Sequence, residues 1–167
     1  MRGASVVPVT EPSPGIAGLH QRIPFLLSQL GVHIADDFVV RLEPFGVGPR
    51  TFAVLTALSA DDGQSQRQLA TLLGIHRNAM VAVVDKLESQ GLVKRTPHAQ
   101  DRRAFAIRLT DKARELLPAL DAQGRLQEET ITAMLTGQER DALRHLLQRV
   151  STGLGMSPGV HPRLAER

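Results

Sequence analysis

Residues 64–110 read QSQRQLATLLGIHRNAMVAVVDKLESQGLVKRTPHAQDRRAFAIRLT and carry the strongest local signals in the chain. Ser65 followed three residues later by Gln68 is a capping-box pattern, in which each side chain satisfies a backbone N–H near the other. It predicts a helix that carries Leu69, Leu72 and Leu73. Gly74 and Ile75 predict a tight turn. A second helix is predicted over residues 76–89, with Met80, Val83, Val84 and Leu87 on its buried face. Its opposite face holds Arg77, Asn78, Val81, Ala82, Asp85 and Lys86. Gly91 suits the residue that ends such a helix. Residues 92–98 and 103–109 then read as two strands, because Phe105, Ile107 and Leu109 alternate with Ala104, Ala106 and Arg108.

The same stretch holds the positive charge of the chain. Eight basic residues (Arg67, Arg77, Lys86, Lys94, Arg95, Arg102, Arg103 and Arg108) face three acids (Asp85, Glu88 and Asp101), a net of +5. The remainder carries 12 basic and 14 acidic residues, a net of −2, within a whole-chain charge of +3. Duplex phosphate is the commonest partner of such a segregated patch.

Two short helices joined by a glycine-containing turn make a helix-turn-helix, whose second helix enters a DNA major groove. His76, Arg77 and Asn78 stand at its start. An arginine fork pairs with guanine O6 and N7, an asparagine amide with adenine N6 and N7, and Val81 and Ala82 one turn on can meet a thymine methyl. The plain alternative is a solvated helix face; the cap, turn and basic hairpin in register favour DNA. Ser65, Gln66, Lys86, Lys94 and Arg95 complete the expected DNA surface. At the hairpin tip, Arg102 is expected to reach a minor groove, and Arg103 to be paired with and oriented by Asp101.

Residues 1–15 are rich in Pro, Ser and Gly and are expected to be a mobile tail. Pro24 suits a helix first turn, and Leu27, Leu30, Ile34, Phe38 and Leu42 follow at helical spacing, predicting a helix over 24–43 that Pro44 stops. Pro49 opens another, with Phe52, Leu55 and Leu58. Beyond the hairpin, Thr110 caps a long helix that Pro118 should kink and Gly124 weaken. Thr136 and Glu139 form a second capping box, opening a helix with a Leu143, Leu146, Leu147, Val150 and Leu154 stripe. A chain this size has no obvious place to bury that stripe alone, which predicts a homodimer. Residues 156–167 read as a tail. The expectation is one domain over 16–155, with dimerisation helices at 24–43 and 111–155 around a DNA-binding lobe at 49–110.

Composition narrows the function. There is no Trp and no Tyr, and the five Phe leave no aromatic platform for single-stranded nucleic acid. No Cys is present, which excludes disulfides, thiolate zinc and cysteine redox sensing. With no apolar signal core and no run approaching a membrane span, the expectation is a cytoplasmic protein without membrane contact. No phosphate loop, dinucleotide fingerprint, nucleophile elbow or H-E-x-x-H motif is present, so an enzyme is not expected, nor any cofactor. Six scattered His offer only a weak metal set of His33, Asp36, Asp37 and His145, and no metal site is expected.

Three runs now bear on kinship: LEPFGVGPRTFAVLTAL, QLATLLGIHRNAMVAVVDKLESQGLVKR and DRRAFAIRLT. Together they resemble the multiple-antibiotic-resistance regulator (MarR) family across residues 24–152. The most telling positions are Asp101, Arg103, Leu109 and Thr110, and Asp85, Leu87, Glu88, Gly91, Leu92 and Val93. The resemblance implies a mainly α (α+β) winged helix-turn-helix with N- and C-terminal dimerisation helices. It also implies a repressor that binds a pseudo-palindromic operator as a homodimer and is released by a small aromatic or phenolic effector. Many members carry Arg in the middle of the recognition helix where this chain has Ala82, which moves base reading onto Arg77, Asn78 and the wing. His33, Asp37 and Arg50 are candidate effector contacts. The alternatives are a winged helix used for protein–protein contact and a ligand- or metal-responsive activator.

Overall fold

The computed structural model describes residues 15–97 and 104–164. Contacts divide the chain into two units, with the boundary between Ala35 and Asp36.

The first unit holds a short helix α1 (Ala17–His20) and most of α2 (Ile23–Leu42). The α1 turn was not expected; it closes through the Leu19 N–H on the Ile16 carbonyl at 3.0 Å. Ile16, Ile23, Phe25, Leu27, Leu30 and Val32 are exposed. The span Ile23–Phe45 is long and apolar enough, by length and composition only, to cross a membrane, with a mean hydropathy of 1.3. This corrects the expectation that no run approaches that length. Such a helix satisfies the same criterion when its apolar side chains meet protein rather than lipid.

The second unit begins in the last turns of α2. A short 3-10 turn, Glu43–Phe45, follows, and then come α3 (Pro49–Ala60), α4 (Gln66–Leu73) and α5 (Arg77–Ser89). Strands β1 (Val93–Pro97) and β2 (Phe105–Leu109) pair antiparallel, with Val93 opposite Leu109 and Arg95 opposite Ile107. Helices α6 (Asp111–Ile131) and α7 (Gly137–Gly153) complete it. The core is aliphatic, as the lack of Trp and Tyr requires: Leu42, Leu55, Leu58, Leu69, Met80, Leu87 and Ile107 are fully enclosed. Phe38 and Phe52 add an edge-to-face ring pair at 5.2 Å.

The caps form as the sequence predicts. Ser65 Oγ accepts from the Gln68 N–H at 3.3 Å, and Gln68 Oε1 accepts from the Ser65 N–H at 2.8 Å. Gly74 takes a φ of +64°, a left-handed conformation that costs glycine little, and sets the turn from α4 to α5. Thr110 Oγ1 accepts from the Ala113 N–H at 3.2 Å and starts α6. That helix runs on through Pro118 and Gly124 as one span, although the missing Pro118 N–H leaves a gap in its ladder. Ala113 and Leu120, both fully buried, anchor it on either side.

Two further features were not foreseen. The α3–α4 connection lies along β2: Gly63 N–H donates to the Ile107 carbonyl at 3.0 Å, and Ile107 N–H donates to the Gln64 carbonyl at 2.9 Å. It covers an edge of β2 that would otherwise offer bare backbone. The stretch after α7, expected as a tail, returns to the core. Leu164 is only 6 % exposed, Val160 packs against the core, and Arg50 Nε donates to the Leu164 carbonyl at 3.1 Å. Lone apolar residues in a Pro- and Gly-rich stretch carry no periodic signal, so nothing announced this contact.

Candidate nucleic-acid interface

Helix α5 is held by its inner face. Met80, Val84 and Leu87 are fully buried and Val83 nearly so, which turns Arg77, Asn78, Val81, Ala82, Asp85 and Lys86 outward. These positions recur at four-residue intervals in adjacent pairs and so form one stripe. Val81 is 44 % exposed and lies on this stripe with small Ala82 beside it. His76 caps the helix, its Nδ1 accepting from the Asn78 N–H at 3.3 Å. The expected outward face is therefore assembled from His76 to Lys86.

The other expected residues divide. Ser65 is half-buried and engaged in the capping box. Gln66 is half-buried too, and its Nε2 is enclosed without a hydrogen-bond partner among the described residues. Lys94 is exposed on β1, opposite exposed Arg108. Two cations face to face repel; Asp62, 3.9 Å from the Arg108 guanidinium, relieves part of this. Asp62 also accepts from the Leu109 N–H at 2.9 Å and from Arg114 at 2.8 Å, fixing the hairpin to α6. Gly63, at φ +88°, lies where a Cβ would come within 3.0 Å of that Arg108 guanidinium. Asp101, Arg102 and Arg103 lie outside the described residues.

Arg95 differs from the expectation. Its side chain is only 21 % exposed and reaches back to α5, pairing with both Asp85 and Glu88. Its own N–H donates to Glu88 Oε1 at 3.2 Å. Burial alone would lower the Arg95 pKa, but hydrogen bonds and charge from Asp85 and Glu88 outweigh it and raise the guanidinium above its ordinary value. Arg95 is thus an internal tie between helix and hairpin rather than an open phosphate contact.

The three candidate effector residues fall in both units, His33 in the first and Asp37 and Arg50 in the second. Asp37 accepts from Arg41 at 2.6 Å and from Gln127 Nε2 at 2.8 Å, joining the end of α2 to α6. Arg50 is held by the Leu164 carbonyl. His33, in the first unit, is exposed. Among the described residues no three His, Asp or Glu side chains gather as a metal set.

A family model described as MarR family matches residues 45–104, which run from the end of the 3-10 turn after α2 into the hairpin. Among solved structures, the transcriptional repressor CouR bound to a 23-mer DNA duplex is 33 % identical with a TM-score of 0.71, and the match covers 85 % of this chain and 99 % of that one. CouR from Rhodococcus jostii RHA1 bound to p-coumaroyl-CoA is 29 % identical with a TM-score of 0.66, covering 80 % and 94 %. A protein from Thauera aromatica assigned to transcriptional regulation of the hcr operon is 27 % identical over 133 residues, 75 % of this chain and 80 % of that protein. Extended likeness to CouR at this identity, the family match over the helix-turn-helix and the outward stripe of α5 agree: the chain belongs to the MarR family of transcriptional regulators.

Proposed function

We propose that this regulator is a homodimeric repressor that reads a pseudo-palindromic operator with α5, grips flanking phosphate with the wing, and is released by an aromatic effector. The observation that carries the reading is the outward stripe of α5, polar and basic at its start and small in its middle, on a helix whose other face is buried. Arg77 and Asn78 supply the base-reading forks, and Val81 and Ala82 the apolar contacts. Lys86 and Lys94 meet phosphate. Arg102, with Arg103 held by Asp101, is assigned to the minor groove.

The effector class is an aromatic acid or its coenzyme A thioester. The p-coumaroyl-CoA carried by CouR belongs to the aromatic anions expected of the family. Asp37 and Arg50 are occupied by protein partners, so the class rests on the neighbours and not on a pocket in this chain. Release requires that the ligand bind one state better than the other.

The test is binding to DNA flanking the protein's own gene, across a salt series. We expect one fragment to be bound tightly with a two-fold footprint. If six or more phosphates are contacted, affinity falls roughly a thousandfold between 50 and 200 mM salt. Adding p-coumaroyl-CoA or p-coumarate is expected to reverse binding. Uniform weak binding, insensitive to salt, would overturn the proposal in favour of a winged helix that contacts protein.

A further inference from the structure

The basic surface contains two carboxylates that ought to weaken it. Asp85 lies on the outward stripe of α5, next to Lys86 and one turn after Val81; Glu88 lies one turn further. Left bare, they would repel phosphate, and their side chains are 58 % and 40 % exposed. Both are engaged by one guanidinium. Arg95 sits two residues into β1, opposite fully buried Ile107, so its backbone is fixed by the hairpin ladder. From there its fork reaches Asp85 with one nitrogen and Glu88 with another, and its backbone N–H adds a second bond to Glu88. Asp85 and Glu88 are three apart on a helix and so share a face. A planar, multi-donor fork holds two such acids in a fixed geometry; the compact ammonium of lysine, on a flexible stem, fixes them less well.

We propose that Arg95 is a positioning residue for DNA binding: it neutralises Asp85 and Glu88 on the DNA-facing surface and locks the wing in register with the recognition helix. The inference rests on the reading of α5 and hairpin as a DNA surface. It reassigns one of the eight cations of the basic stretch from contact to construction. The acids are then not a flaw in the patch, because they form the socket that orients the wing.

A double-mutant cycle on DNA affinity tests this, with wild type, Arg95→Met, Asp85→Asn/Glu88→Gln, and the triple variant measured on the same operator fragment at low salt. We expect Arg95→Met to cost about tenfold when the acids are present, because two carboxylates are then bare beside phosphate. In the neutralised background we expect less than twofold. A phosphate contact predicts instead the same loss in both backgrounds, since independent effects add, and that outcome overturns the proposal. Thermal unfolding on all four proteins separates a purely structural role: coupling in stability with unchanged DNA affinity also overturns it. Should Arg95→Met fold poorly, Arg95→Lys decides. It keeps the charge, so a phosphate contact predicts near-wild-type affinity, whereas the socket predicts a several-fold loss. Wild-type protein that binds no DNA would remove the DNA reading and this inference together; wild-type binding without coupling removes this inference alone.

Discussion

Arg77 occupies the first position of α5, just after the His76 cap, with its side chain exposed and no ion pair or hydrogen bond to it among the described residues. A guanidinium so placed is free to fork onto a guanine edge. Arg77→Ala is therefore expected to weaken the operator complex by about 1–3 kcal/mol while changing affinity for random DNA much less. Gel-shift titrations on both DNAs check it; equal losses would make Arg77 a phosphate contact. This much was legible in the sequence, because helical periodicity and a cap place Arg77, Asn78, Val81 and Ala82 on one stripe without any tertiary information. Arg95 was not. A cation on a half-buried strand reads the same whether it meets phosphate or carboxylate, and its partners lie seven and ten residues earlier, brought to it only when the hairpin folds back on α5. The partners of Asp37 and Arg50 were hidden for the same reason: Gln127 and Leu164, which bond them, are 90 and 114 residues away.

At the scale of elements, the helices announce themselves through period and caps, whereas the pieces that join them do not. The third edge on the hairpin, from Gly63 to Ser65, has no strand pattern of its own; it exists because β2 has unpaired backbone to offer. The return of residues 160–164 rests on one leucine joining the buried core and on the Arg50 bond to its carbonyl. Leu164→Ala is expected to lower stability by about 2 kcal/mol, at the low end for a buried leucine because a chain end relaxes easily. Chemical denaturation checks this, and an unchanged midpoint would show that the segment is not docked in solution. The start of α7 carries a pH dependence. Glu139 accepts from the Thr136 backbone and hydroxyl, which lowers its pKa below the usual carboxylate range. A lowered folded-state pKa contributes stability that is present above the ordinary carboxylate pKa and is lost as pH falls through the lowered one. Glu139→Gln is expected to remove that acid-side dependence, read as helix content across a pH series from neutral down to strongly acidic.

The whole molecule has apolar surface left over. Helix α7 buries no residue in the protomer, yet Leu143, Leu146, Leu147, Val150 and Leu154 follow one another at helical spacing, all exposed. The α6–α7 junction adds exposed Ile131 and Met134. A contiguous apolar stripe of this kind is the surface that the proposed homodimer would use, since a second copy supplies a self-complementary one. Cutting the chain before α7 would be a poor probe, since it also pulls Leu164 from the core. Leu146→Glu is sharper. Leu146 is 54 % exposed, so a carboxylate there is tolerated in the lone protomer, while a two-fold dimer through α7 brings two such charges into apolar surroundings. Sedimentation is expected to show the wild type as a dimer and the variant as a monomer with unchanged helix content. DNA affinity should fall with it: joined recognition helices engage the second half-site at a high effective concentration, and separation forfeits a factor of about 10²–10⁴. A variant that stays dimeric would place the interface away from α7. A monomeric variant that binds the operator as tightly as the wild type would mean that a single α5 and its wing carry the recognition, and that the stripe on α7 serves another partner.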